Sequence, residues 1–80
     1  MLVTVHCFAR VRELLGNIVQ VELDDPATVA DLRQRLSLCY PHCQDLFGRS
    51  AVAVNRRIAS EDEPIPLEAE VALIPPVSGG

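Results

Sequence analysis

Apolar and polar residues alternate strictly near the start of the chain. Residues 2–9 place Val3, Val5 and Cys7 on one side of an extended segment. The other side carries Leu2, Thr4, His6 and Phe8. Period-two alternation among β-branched residues predicts a strand. Residues 18–23 (IVQVEL) alternate in the same way, and we expect them to pair antiparallel with the first strand.

Two segments have helical character. Residues 10–15 (RVRELL) predict one short helical turn, which Gly16 closes. Apolar residues at positions 29, 32 and 36 predict an amphipathic helix of about three turns that ends before Pro41. Thr28 and Asp31 resemble a capping box at its start. Its outer side carries mostly Arg33, Gln34 and Arg35.

The second half of the chain predicts short strands. Residues 41–49 are interpreted as a loop, and residues 60–66 as a polar connection. The predicted strands cover residues 51–55 (AVAVN), 57–59 and 70–74 (EVALI). Asn55 suits a turn with positive φ, whereas Pro75 and Pro76 cannot extend the last strand because neither has a backbone N–H.

This order of elements predicts an α+β fold. A hairpin, a crossing helix and returning strands indicate a mixed sheet with one main helix on one face, for which the ubiquitin-like β-grasp is the obvious arrangement. The second face of such a sheet is left for solvent or a partner. We expect one domain over residues 1–76 and a free tail over residues 77–80.

Composition narrows the classes of function. The 80-residue chain is 49% hydrophobic, which suffices for one core, and its net charge of −4 argues against nucleic acid as a partner. Apolar runs no longer than four residues argue against a membrane span. The first residues do not resemble a secretory signal. We therefore expect a cytoplasmic protein.

The three cysteines predict neither disulfides nor a metal site. An odd count without an export signal argues against a disulfide framework. Cys39, His42 and Cys43 could share a helix face as zinc ligands. However, they lack a clear fourth ligand and the usual Cys-x-x-Cys spacing, so we expect ordinary thiols and no metal.

The last residues, IPPVSGG, raise a different possibility. Glycine has no side chain to pack and loses the most freedom on ordering, so two glycines at the end contribute little to a fold. A carrier that reacts through its own terminal carboxylate would need such an end. Pro75 and Pro76 favour an extended approach to it.

Three segments carry a resemblance to a known family. FARVRELLG (residues 8–16), AVAVN and EVALIPPVSGG (residues 70–80) resemble the MoaD/ThiS family of β-grasp sulfur carriers. The V-R-E-L turn together with the P-P-V-S-G-G ending resembles the molybdopterin synthase branch most specifically. The sequence departs from the family at His6 and Cys7, where larger apolar residues are expected.

The resemblance implies a chemistry for Gly80. An adenylyltransferase similar to ubiquitin-activating enzymes would consume ATP to form a glycyl adenylate there, and sulfur would then replace AMP to give a thiocarboxylate. The thiocarboxylate would donate sulfur to cyclic pyranopterin monophosphate and so build the molybdopterin dithiolene. No permanently bound cofactor is implied, and the chain is not an enzyme alone.

The resemblance also implies a partner, the large catalytic subunit of molybdopterin synthase, in a heterotetramer. Its channel would receive the tail residues Pro75, Pro76, Val77, Ser78 and Gly79, with Gly80 at the reaction centre. Phe8 would lie on the open sheet face as a partner contact, although packing at the edge of the core is an alternative.

Other functions remain open at this point. A sulfur carrier for the thiamine thiazole shares the Gly-Gly ending but typically lacks the proline pair. A ubiquitin-like protein modifier is a second alternative, although a chain whose seven basic residues are all arginines cannot form lysine-linked chains on itself. A plain interaction module is the third.

Overall fold

The alternating segment at the start of the chain is a strand in the computed structural model, which describes residues 1–76. Strand β1 covers Leu2–Cys7 and pairs antiparallel with β2, Ile18–Glu22. Between them, helix α1 covers Ala9–Leu15 and ends at Gly16, where the positive φ of 94° suits glycine. All three elements confirm the predictions from the sequence.

The remaining strands complete a five-stranded mixed sheet. Strands β3, β4 and β5 cover Ala51–Val54, Arg57–Ile58 and Val71–Ile74. The strand order is β2-β1-β5-β3-β4, with β5 parallel to β1 and antiparallel to β3. The last strand of the sequence is therefore the central strand of the sheet.

The main helix packs on one face of this sheet, as predicted. Helix α2 covers Val29–Cys39, and its apolar positions, Val29, Leu32 and Leu36, are fully buried. The capping box is present: Asp31 N–H donates to Thr28 Oγ1 at 3.2 Å, and Thr28 N–H donates to Asp31 Oδ2 at 2.9 Å. These reciprocal bonds satisfy two backbone donors at the helix start.

The segment between β4 and β5 does more than connect them. Backbone N–H groups of Val29 and Ala30 donate to the carbonyls of Glu63 and Glu61, at 3.0 and 2.9 Å. Ile65, which the sequence assigned to a polar connection, is only 4% exposed and belongs to the core. This segment therefore caps α2 and fills part of the interior.

The prediction of a loop over residues 41–49 is wrong. A 3₁₀ turn covers Pro41–Cys43, and helix α3 covers Gln44–Arg49. The reason is packing, because Cys43 and Phe47 lie four residues apart and are 2% and 0% exposed. A proline at the start of the turn is tolerated because its missing N–H would have no partner there.

The outward position predicted for Arg33 is also wrong, because its side chain is only 19% exposed. The guanidinium binds the carboxylate of Glu61 through Nε at 3.0 Å and Nη2 at 2.7 Å. Nη1 donates to the carbonyl oxygens of Phe47 at 2.5 Å and Ser50 at 2.6 Å. Arg33 thus ties α2 to α3 and to the segment after β4.

The turn between β3 and β4 gives a stability prediction. Asn55 and Arg56 both have positive φ, 52° and 69°, as a tight hairpin requires. The strained position costs an L-residue about 1–2 kcal/mol. We therefore expect Arg56→Gly to raise the free energy of unfolding by about 0.5–1 kcal/mol, since glycine's larger unfolded-state entropy offsets part of the gain. Denaturant unfolding measures the difference.

Asn55→Gly is the matched comparison and should have the opposite sign. Asn55 Oδ1 accepts from the Glu70 N–H at 2.9 Å, and the Asn55 N–H donates to the Glu70 carbonyl at 2.7 Å. Glycine would lose the first of these bonds. Equal effects of the two substitutions would show that this side chain does not hold the start of β5.

Candidate functional site

The candidate site lies at the end of β5. Because β5 runs parallel to β1 and pairs with it through Cys7 and Leu73, both strands end at the same edge of the sheet. Pro75 follows β5 and is buried, whereas Pro76 is exposed. Pro76 is the last residue that the structure describes. The predicted site residues Val77, Ser78, Gly79 and Gly80 lie outside the described residues.

The face of the sheet turned away from α2 carries a row of side chains in lateral register. Strand pairing aligns one residue from each of the five strands, in the order Ile18, His6, Ala72, Ala53 and Ile58. The residues that follow Ala72 and Ala53 along their strands point into the core. The row is therefore a strip of mostly apolar side chains across the whole face, which we call the open-face row.

The side chains of the open-face row differ in size and in exposure. Its outer members Ile18 and Ile58 are 50% and 61% exposed, but the two central alanines are small and Ala53 is only 6% exposed. Ala53 is nevertheless absent from the buried cluster between the sheet and the helices. The exposed apolar surface of the row therefore comes mainly from its two ends, Ile18 and Ile58.

Phe8 and Ile74 extend this apolar surface towards the edge where β5 ends. Phe8 is 46% exposed and Ile74 is 38% exposed. Phe8 precedes α1 with an extended backbone, φ −127° and ψ 157°, so it continues the alternation of β1 on the open face. Exposed apolar side chains that form a contiguous patch are typical of interaction sites. Binding of a partner by Phe8 stays a prediction.

Polar groups in the described part of the chain offer no catalytic constellation. Burial raises the pKa of the Cys7 thiol, and a backbone hydrogen bond from Val19 offsets part of this rise. Cys43 is buried as well, and Cys39 is exposed. A protonated, buried thiol is a poor nucleophile. Cys7 is therefore unsuited to carry sulfur in the folded protein.

The candidate zinc ligands do not form a site. Within residues 1–76, no group of three or more His, Cys, Asp or Glu side chains is placed to hold a metal ion. Cys43 points into the core, whereas His42 and Cys39 are exposed. No helix in this described range is long and apolar enough to cross a membrane.

Reasoning from the sequence placed His6 and Phe8 on the outer side of the first strand but did not identify the open-face row. Ile18 and Ile58 belong to edge strands, and their alignment with Ala72 depends on pairings between segments distant in sequence. The alternation within residues 18–23 did indicate that Ile18 faces outwards, because Val19 and Val21 occupy the buried positions of that pattern. Ile58 had no such signal, because β4 has only two residues.

Comparison with known proteins places this geometry in a family. The ThiS family model matches residues 5–80. The molybdopterin synthase sulfur carrier subunit of Escherichia coli K12 is 38% identical over 82 residues, covering 99% of this chain and 100% of the relative. The protein of the same name from Dictyostelium discoideum is 36% identical, covering 91% and 90%.

Solved structures show the same architecture. SAMP1 from Haloferax volcanii, a small archaeal modifier protein, superposes with a TM-score of 0.84 at 31% identity over the full length of both chains. A chain in the complex of subunits 1 and 2 of molybdopterin-converting factor from Helicobacter pylori shares the fold over both full lengths, with a TM-score of 0.69 at 21% identity. The fold is the ubiquitin-like β-grasp predicted from the sequence, and the chain belongs to the ThiS family.

Proposed function

We propose that this chain is the sulfur-carrier subunit of a molybdopterin synthase, and that the carboxylate of Gly80 carries the sulfur. The observation that carries the proposal is the likeness to a molybdopterin synthase sulfur carrier subunit over 99% of this chain, together with the match of the family model over residues 5–80, which includes the Gly-Gly ending. The described site supports it, because β5 ends beside an apolar surface suited to docking.

Activation is the first chemical step of the proposal. A terminal carboxylate is an anion at neutral pH and a poor electrophile. An adenylyltransferase would join it to AMP from ATP and release pyrophosphate. A sulfur nucleophile then attacks the carbonyl carbon, the C–S bond forms, and AMP leaves. Gly80 has no Cβ, so its carbonyl is open to this attack.

Transfer is the second step. The thiocarboxylate sulfur forms a bond to a side-chain carbon of cyclic pyranopterin monophosphate as the carbon–oxygen bond at that carbon breaks, and the oxygen leaves as water or as the oxygen of the phosphate group. Water then cleaves the acyl–sulfur bond, which leaves the sulfur on the pterin and regenerates the carboxylate. Two such transfers supply the two sulfur atoms of the dithiolene. Acid–base groups for these steps come from the large subunit, because residues 1–76 hold no suitable cluster beside the end of β5.

Residues 77–80 set the reach of the carrier. Four extended residues span about 13–14 Å. Because Pro75 is buried in this domain, the segment that enters the channel of the large subunit begins at Pro76. Pro75 then anchors the segment, and the small residues Ser78 and Gly79 let it pass a narrow channel.

Reconstitution tests this function. The thiocarboxylated chain, the large subunit from the same organism and cyclic pyranopterin monophosphate should together yield molybdopterin, in a ratio of two carriers consumed per product. The carboxylate form of the chain is the control and should yield none. Failure of the thiocarboxylated chain to convert the pterin would refute the proposal.

A ubiquitin-like modifier is the second candidate, favoured by the full-length structural likeness to SAMP1 at 31% identity. It would transfer its Gly80 carbonyl to a lysine amine rather than transfer sulfur. Incubation with the activating enzyme, ATP and cell extract distinguishes the two functions. Protein adducts linked through Gly80 would support the modifier, whereas a free thiocarboxylate supports the carrier.

Docking to the large subunit gives a prediction for Phe8. A half-exposed aromatic residue beside the end of β5 has the character of an interface hot spot. We expect Phe8→Asp to weaken binding of the large subunit by about 30-fold or more, which corresponds to a loss of about 2 kcal/mol. Calorimetric titration measures the affinity.

Leu38→Asp is the matched control for Phe8→Asp. Leu38 is 70% exposed on α2, on the opposite side of the molecule from the open face. Its substitution should leave the affinity within about twofold of the wild-type value. If Leu38→Asp weakens binding and Phe8→Asp does not, docking takes place on the helical side instead.

A further inference from the structure

His6 interrupts the open-face row with a polar side chain. Strand pairing places it directly between Ile18 of β2 and Ala72 of β5. Along the chain, the nearest residues on the same face are Thr4, in β1, and Phe8, just after β1. His6 is half-buried, so its imidazole forms part of the surface that a docking partner would cover.

The neighbours of His6 along the row are apolar. Ile18 lies on one side of it, and Ala72, Ala53 and the 61%-exposed Ile58 follow on the other side. A partner that covers this row with apolar side chains therefore also covers the imidazole of His6.

The imidazole nitrogens are not used within the domain. None of the side-chain hydrogen bonds among residues 1–76 involves His6, and this part of the chain has no buried side-chain nitrogen without a partner. The nitrogens are therefore exposed to water in the free protein. A neutral imidazole has one N–H donor and one acceptor nitrogen.

Docking removes this water. A donor or acceptor that is buried without a partner weakens a complex by roughly tenfold or more. A wholly apolar partner surface would incur this loss at His6. A partner surface with a hydrogen-bonding group opposite the imidazole would avoid this loss of affinity. That group of the partner would in turn need His6 as its hydrogen-bond partner.

We propose that His6 is a specificity-determining residue of the docking surface. It selects a large subunit that covers the open-face row with apolar side chains and sets a neutral hydrogen-bonding group, such as a backbone carbonyl or a hydroxyl, against the imidazole. This inference rests on the proposed function for its choice of partner. The proposed interface then contains one hydrogen bond, made by His6, within an otherwise apolar contact.

Calorimetric titration of three variants with the large subunit from the same organism tests the inference. His6→Leu fills similar space without polar atoms and should weaken binding by about tenfold or more. His6→Gln keeps a donor and an acceptor and should stay within about threefold of wild type. Thr4→Val, the next open-face position on β1, should stay within about twofold.

The outcomes separate this inference from the proposed function. His6→Leu binding as tightly as wild type, or more tightly, overturns the role of His6. Equal weakening by His6→Leu and His6→Gln also overturns it, because hydrogen bonding would not be the cause. If the proposed function itself fails, the wild-type chain does not bind the large subunit at all. Thermal melts check that each variant is folded.

Discussion

Deletion of Gly80 is expected to abolish sulfur transfer to the pterin. In the proposed function the reacting carbonyl is the last one of the chain, and loss of one residue moves it back by about 3.3–3.6 Å. A misplacement of about 1 Å at a reaction centre already costs about a hundredfold in rate. Addition of one alanine after Gly80 should be equally damaging. Single-turnover conversion of the pterin precursor measures the effect.

Gly48→Ala is the control for these changes at Gly80. A Cβ at Gly48 would meet no atom within 4 Å, and the residue lies in α3, outside the C-terminal segment that carries the reacting group. The variant should transfer sulfur at the wild-type rate. Wild-type conversion by the extended chain would contradict the account, because an internal Gly80 has no free carboxylate to activate.

Replacement of Arg33 by alanine is expected to give the largest loss of stability. The guanidinium makes two bonds to Glu61 and two to the carbonyls of Phe47 and Ser50. In Arg33→Ala these oxygens would lose a charged donor whose side chain is only 19% exposed. We expect a loss of about 2–3 kcal/mol in the free energy of unfolding. Urea unfolding measures it.

Two further variants separate the contributions at Arg33. Glu61 is 56% exposed, so Glu61→Gln should cost only about 0.5–1 kcal/mol, since water replaces much of the lost pairing. Arg35→Ala changes an exposed arginine on the same helix and should lie within about 0.5 kcal/mol of wild type. A similar small effect of Arg33→Ala would mean that the carbonyl contacts contribute little.

Local sequence patterns predicted the elements whose structure is decided locally. The alternation around Val5 and the capping box of Thr28 both concern residues a few positions apart, and both are confirmed. Helix α3 was missed because six residues give too short a pattern to recognise. Its only signal was the spacing of Cys43 and Phe47, and both residues belong to the buried core.

The candidate site could be predicted only in part, for the same physical reason. Phe8 follows a strand whose inner side is evident, so its exposure could be inferred. The open-face row requires the register of five strands, and Arg33 is held by partners 14, 17 and 28 residues away. A helical pattern shows which side of α2 is apolar, but it does not show what packs beside the polar residues.

The mass of the C-terminal peptide tests the central claim most directly. The chain should be incubated with its activating enzyme, ATP and a sulfur donor, digested, and analysed by mass spectrometry. The account predicts that the peptide ending in Gly80 gains the mass difference between sulfur and oxygen, and that this gain is lost after turnover with the large subunit and pterin. An unchanged terminal peptide, with sulfur added instead to the peptide of Cys39, would contradict it.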